Sequence, residues 1–217
     1  MKTLYVNGDS HSSGHEAGGP NYAYGKHIAQ ALGYDYVCDA APGCSNDSII
    51  QRTQEYLKSN TPDFLIIGWS TWERETWYWD NQSYNITASG HDKVHPALQN
   101  RYKQWVIEQS MPEQQWNKEF TAHDDIWNFH NSIKHIPHLF FNCFSYFFYT
   151  VRQNKMQYDW GNNYINPYNQ NFTYYYWLDK TGYKPVNTKF YHYGADAHKA
   201  WADFILPKVK TILTINE

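Results

Sequence analysis

The strongest constraint on the fold is the alternation of short apolar runs and helical stretches within about the first 68 residues. Asp63–Gly68 (DFLIIG) is continuously apolar and follows Pro62, the pattern of a strand buried on both faces of a parallel sheet. Lys2–Asn7 alternates and stops at Gly8, which predicts a buried strand ending in a tight turn. Between these runs, Tyr22, Gly25, Ile28, Ala29 and Leu32 recur at helical spacing and Gly33 closes the segment. Asp35–Asp39 predicts a second strand and Ala40–Asn46 (AAPGCSN) a loop, with Ser45 or Asn46 capping a helix to about Leu57. A β-α-β-α-β chain with right-handed crossovers folds into a doubly wound sheet. Ile136–Cys143 reads as a fourth strand. Gly194–Leu213 reads as the last helix, with Ala197, Ala200, Trp201, Phe204 and Ile205 on one face and a break or kink at Pro207. The expected fold is therefore α/β, a three-layer α/β/α sandwich around a central parallel sheet, in one domain spanning residues 1–217.

The third and fourth strands are separated by far more chain than a plain crossover needs. Tyr102–Gln109 and Lys118–His135 look helical there, so residues at about 72–135 are expected to form a helical insertion leaning over the active face. A second insertion is expected at about 155–180, its polar, aromatic centre Tyr158–Trp177 forming a loop with short strands. The chain holds 20 Tyr, 10 Trp and 11 Phe. That density indicates either a core plus a surface that binds flat or amphipathic groups, or a biased base composition. A net charge of -3 without a long basic run argues against a nucleic-acid partner. The apolar part of MKTLYVNGDS is too short for a signal peptide. Leu139–Val151 is interrupted by Asn142 and Ser145 and is too short to span a bilayer, so no membrane partner is expected. Three cysteines without metal-ligand spacing fit a reduced compartment, cytoplasmic or virion-associated. His11/His15 and His91/His95 have i,i+4 spacing, but neither pair lies on a convincing helix or near an acidic cluster, so no metal is expected. The sequons at Asn81, Asn85 and Asn171 matter only on a secretory route.

Ligands of an open α/β sheet bind at the carboxyl ends of its strands. Gly8-Asp9-Ser10, Gly43-Cys44-Ser45-Asn46 and Gly68-Trp69-Ser70 follow the first three strands. Asn7-Gly8-Asp9-Ser10-His11-Ser12 resembles the first block of the SGNH (GDSL-like) hydrolases. Gly43 matches their second-block glycine, and Ile66–Ser70 occupies the position of their third block. His192–Ala202 resembles the last block, where a histidine precedes a helix bearing a second histidine, here His198. The resemblance covers the first 75 and last 30 residues. It implies a flavodoxin-like sheet, Ser10 as nucleophile and His192 as its base, and an oxyanion hole from the N–H groups of Ser10 and Gly43. The substrate implied is a small-molecule or glycan ester, such as an O-acetyl group on a sugar, cleaved through an acyl-enzyme without a cofactor.

The chemistry suits the spacing. A serine hydroxyl needs a base, and an imidazole serves at neutral pH. Asp9 is expected to hold the nucleophile loop by accepting backbone N–H bonds, and His198 to serve structurally within the last helix or loop. Two positions depart from the family pattern. Lys189 stands where the family has its acid, leaving a Ser-His dyad oriented by a backbone carbonyl, or Asp179 or Asp196 as substitutes. Ser70 replaces the third-block asparagine, and Asn46 could restore an amide donor. Trp69, Trp72 and Arg74 could line a pocket, although packing against the insertion is preferred. The departures also fit a catalytically silent SGNH-like binding or virion structural module, and a homo-oligomer or particle assembly is open. A nucleotide-binding flavodoxin-like protein is disfavoured because the first turn lacks a Gly-rich phosphate pattern.

Overall fold

The apolar runs of the sequence become the centre of a parallel sheet. The structure is a computed structural model describing residues 1–88, 90, 94–187 and 189–215. Its strands are β1 (Thr3–Gly8), β2 (Asp35–Cys38), β3 (Phe64–Trp69), β4 (Glu75–Trp79), β5 (Gln82–Ile86) and β6 (His138–Asn142). Four of them form the all-parallel order β2-β1-β3-β6. Residues 163–165 add a rudimentary fifth position beside β6: the Phe140 N–H donates to the Asn163 carbonyl (2.7 Å), and the Ile165 N–H to that of Phe140 (2.9 Å).

Side chains alternate across the pleat. Leu4, Val6, Phe64, Ile66, Leu139 and Phe141 pack on one face against α1 (Tyr24–Leu32) and α7 (Ala195–Ile215). Tyr5, Leu65, Ile67 and Phe140 pack on the other against α2 (Asn46–Leu57) and α4 (Pro112–Ser132). These are the three layers expected. The caps follow the sequence too: the Ser45 Oγ accepts the Ser48 N–H at 3.2 Å, and Gly33 ends α1 with φ 69°. The helix α7 runs through Pro207 as one unbroken element, where a break or kink was expected. Pro207 is exposed, so the carbonyl it leaves without an N–H partner one turn earlier lies on the solvent side of the helix.

The long segment between β3 and β6 has two parts. The antiparallel hairpin β4–β5 and α3 (Gln99–Gln109) surround a small separate core of Trp77, Ile86, Val94, Leu98, Tyr102 and Trp105. The helix α4 instead lays Ile126 and Phe129 on the sheet and serves as the crossover layer. Nothing in the sequence reading anticipated the hairpin. Within Tyr158–Trp177 no strand longer than an isolated bridge forms among the described residues. Stacked rings order that segment, such as Tyr158 on Trp127 at 4.5 Å, and α6 (Tyr174–Lys180) begins at its end after the Thr173 cap.

Candidate active site

The carboxyl ends of β1 and β3 meet at paired glycines, Gly8 and Gly68. A Cβ on Gly8 would lie 2.6 Å from the Gly68 carbonyl oxygen, and a Cβ on Gly68 2.9 Å from the Cys143 Sγ. Only glycine lets the chain turn here beneath Ser12. The turn then coils tightly, with the Ser12 and Ser13 N–H groups on the Asp9 carbonyl (3.1 and 3.0 Å) and the His15 N–H on that of Ser10 (3.1 Å). This winding presents Ser10 and carries Glu16, six residues on, back to the same side. Glu16 has φ 65°, unusual for a residue with a side chain.

The imidazole facing Ser10 arrives from the other end of the chain. His192 Nε2 lies 2.9 Å from Ser10 Oγ, and His192 Nδ1 lies 2.9 Å from Glu16 Oε2. The other Glu16 oxygen accepts the Asn187 amide at 2.7 Å. Asn187 also holds the turn before His192, its Oδ1 accepting the Lys189 and Phe190 N–H groups. With Glu16 accepting at Nδ1, the ring carries its proton there and leaves Nε2 free to take the Ser10 proton. Burial lowers the His192 pKa below its ordinary value and Glu16 partly restores it. Burial raises the Glu16 carboxyl, but the Asn187 and His192 hydrogen bonds outweigh this and hold it below the usual carboxylate range.

Serine, histidine and carboxylate thus stand in line. Neither aspartate considered in the sequence contacts His192: Asp179 pairs with Lys184 at 3.4 Å, and Asp196 lies in the first turn of α7. Lys189 sits on an exposed turn with its ammonium over the Phe190 ring. Glu16 was missed because 176 positions separate it from its partner. The only local signal was the glycine-rich run HSSGHEAGG, which marks a tight turn but no acid.

Of the remaining predicted residues, Asp9, next to Ser10 in the chain, is linked to Ser70, and Ser70 to Asn46. Asp9 is buried, accepting the His11 N–H (3.0 Å), the Ser70 hydroxyl (3.2 Å) and Arg74 Nη1 (2.8 Å). Burial raises its pKa, but His11, Arg74 and the backbone bond bring it below the ordinary value and keep it ionised. It ties the β1 and β3 loops together. The Asn46 Oδ1 accepts the Ser70 N–H (2.8 Å) while its Nδ2 donates to the Ser70 carbonyl (3.3 Å), leaving one amide hydrogen uncommitted. The Ser70 hydroxyl is engaged by Asp9 and by Arg74 at 2.8 Å. Gly43 has φ 80° in the β2–α2 loop. Among the described residues, no backbone carbonyl accepts the N–H of Ser10 or of Gly43.

The hairpin leans on that loop through Ser45 and Thr76 (hydroxyls 2.9 Å apart) and through the Asn85 amide donating to the Pro42 carbonyl (3.3 Å). His198 is buried between Tyr24 and Tyr174, accepting the Tyr24 N–H at 3.4 Å; burial lowers its pKa to about 3, so it is neutral. Trp69 and Trp72 pack in the core, Trp72 stacked on Phe147 at 4.8 Å. Trp72 and Arg74 also border an open cleft of about 440 Å³ beneath the hairpin, which reaches Asn46. On the other side, His15, Glu16 and Pro42 line an open groove of about 640 Å³.

No family model and no curated protein matches this sequence. Solved structures do. An acetyl xylan esterase from the rumen bacterium Butyrivibrio proteoclasticus matches with TM-score 0.51 and 11% identity, over 99% of this chain and 65% of that one. A lipolytic protein of the G-D-S-L family from Veillonella parvula matches with TM-score 0.50 and 10% identity, over 95% and 97%. A carbohydrate esterase described as having divergent catalytic and non-catalytic binding functions matches with TM-score 0.50 and 14% identity, over 98% and 66%. At these identities the likeness establishes the fold alone, a three-layer α/β/α sandwich around a central parallel sheet.

Proposed function

We propose that the chain is a serine ester hydrolase in which Ser10, His192 and Glu16 act as a catalytic triad. The observation that carries this reading is the pair of 2.9 Å contacts running from the Ser10 Oγ through the His192 ring to the Glu16 carboxylate. The Ser10 oxygen attacks the ester carbonyl as His192 Nε2 takes its proton, and the resulting imidazolium is stabilised by Glu16. The oxyanion of the tetrahedral intermediate is received by the N–H groups of Ser10 and Gly43 and the spare amide hydrogen of Asn46. His192 then returns the proton to the departing alkoxide, leaving an acyl-Ser10 ester. Water attacks this ester in the second half, giving its proton to His192, and Ser10 leaves with that proton to regenerate the enzyme. Ser70 supports this hole through the Asn46 and Asp9 contacts rather than by pointing its own hydroxyl at substrate.

For the substrate we propose an O-acetyl group on a carbohydrate. Exposed Phe190 and Tyr191 flank His192, and Phe144 and Tyr175 continue the aromatic rim at 6.2 and 5.4 Å from Tyr191. Such faces stack on sugar rings. The esterases sharing this fold include one named for acetyl xylan, which supports the same class. The test compares hydrolysis of a short-chain chromogenic ester, then of acetylated glycans, by the unaltered chain and Ser10→Ala. Turnover is expected only with the serine. Equal turnover in both rejects Ser10, and none in either favours a binding module.

A further inference from the structure

We infer that His15, Glu16 and His192 form an inhibitory site for a borderline transition-metal ion such as Zn²⁺. One ligand atom from each residue lies within 4.8 Å of the other two. The set is two imidazoles and one carboxylate, the donor combination zinc takes in three-ligand sites that keep a position open for water. Its members come from both ends of the chain: His15 and Glu16 from the nucleophile turn, His192 from the loop before α7. The His15 ring meets that of His192 edge-on at 5.0 Å. Metal–ligand bonds of about 2.0–2.2 Å require the three atoms to draw closer than this. His15 is exposed, on a turn that includes Gly14 at φ 68°, and it borders the open groove, so its side chain supplies the movement and the ion has a path in.

The consequence for the proposed chemistry follows from proton placement. In the resting triad the His192 proton lies on Nδ1, facing Glu16. A metal bound at Nδ1 uses that lone pair, so the neutral ring carries its one proton on Nε2. No proton is gained or lost. The Nε2–H then faces the Ser10 oxygen as a donor and has no lone pair to accept the serine proton, so the base is switched off. Oxygen-preferring Mg²⁺ and Ca²⁺ suit this imidazole-rich set poorly and leave the site alone. Inhibition rests on the role proposed for His192; binding of the ion does not.

The test therefore separates them. Zn²⁺ is titrated calorimetrically into the full chain carrying Ser10→Ala at pH 8. One saturable site per chain is expected, weakened about tenfold or more when His15→Ala is added. In the otherwise unaltered enzyme, His15→Ala should leave ester hydrolysis unchanged in metal-free buffer while relieving inhibition by Zn²⁺; Mg²⁺ should inhibit neither. Absence of saturable binding, or equal affinity with and without His15, overturns the site. His15-dependent binding in a chain that hydrolyses no ester retains the metal site and rejects the esterase reading.

Discussion

At Glu16 the backbone takes a left-handed conformation that costs a side-chain-bearing residue of order 1 kcal/mol, and such outliers concentrate at functional sites. What the distortion achieves is specific: it aims the carboxylate at His192 Nδ1. Replacing it tests both the role and the electrostatics. Glu16→Gln should lower kcat for ester hydrolysis by about 10²–10⁴-fold, because a neutral amide neither fixes the tautomer nor stabilises the imidazolium. The pH profile should move as well. Burial already lowers the His192 pKa while Glu16 raises it, so the acid limb of the unaltered enzyme should fall below the ordinary histidine value, and further in Glu16→Gln. A limb that stays in place or moves up would exclude Glu16 as the orienting group. Lys189→Asp should change kcat less than about twofold, since an exposed side chain held off by its turn gains only weak coupling through water. Ser10 and His192 were legible because short motifs at strand and helix boundaries carry them. Glu16 was not, because its partner is fixed only by the closed fold.

Elements were readable to the extent that one pattern dominated them. The run FLIIG could only be a buried strand, and α1 announced its end with Gly33. The hairpin β4–β5 carried a usable signal, Asp80-Asn81 between Thr76–Trp79 and Gln82–Ile86, and both turn residues have positive φ as a tight two-residue hairpin demands. Its aromatic density masked the alternation. The hairpin is held to α3 and α4 by one carboxylate: Glu75 accepts the Trp77 indole at 2.7 Å, the Trp105 indole at 2.8 Å, and the Lys118 ammonium. Burial raises the Glu75 pKa, but these donors outweigh it and keep it ionised. Glu75→Ala would strand two indoles and a cation, at a cost of about 1–3 kcal/mol. Because the hairpin has its own small core, hydrogen exchange should accelerate over residues 75–86 while β3 stays protected. Uniform acceleration would mean that the hairpin is not a separate cooperative unit. The same variant should slow ester hydrolysis, since Thr76 and Asn85 steady the loop bearing Gly43.

The molecule as a whole stores neutral histidines in its interior. Burial brings His11, His123, His130 and His138 down to about 4 and His198 to about 3. The His138 Nδ1–H donates to the Ile136 carbonyl (2.7 Å), so its Nε2 accepts from His130 Nδ1–H at 2.8 Å and both rings are neutral. An unfolded chain protonates such groups near pH 6.5 while the folded one resists. Stability should therefore be complete above pH 6.5 and fall progressively as the pH drops toward about 4 and 3. Urea midpoints measured across that window should decline steadily; a flat profile would mean that these rings are not held neutral. Overall architecture was legible from sequence because layers follow from strand and helix periods, whereas the histidine pairings depend on which faces finally meet. A different consequence follows from the turn that bears both Ser10 and Glu16. The proposed nucleophile and acid lie six residues apart on one short turn, so their spacing is set locally and not by the chain between residues 17 and 186. What the rest of the chain must still supply is the alignment of His192 with that turn and of Gly43 and Asn46 with the proposed oxyanion. A survey that seeks the acid beside the histidine would score this chain as a dead relic while its three groups still stand in line.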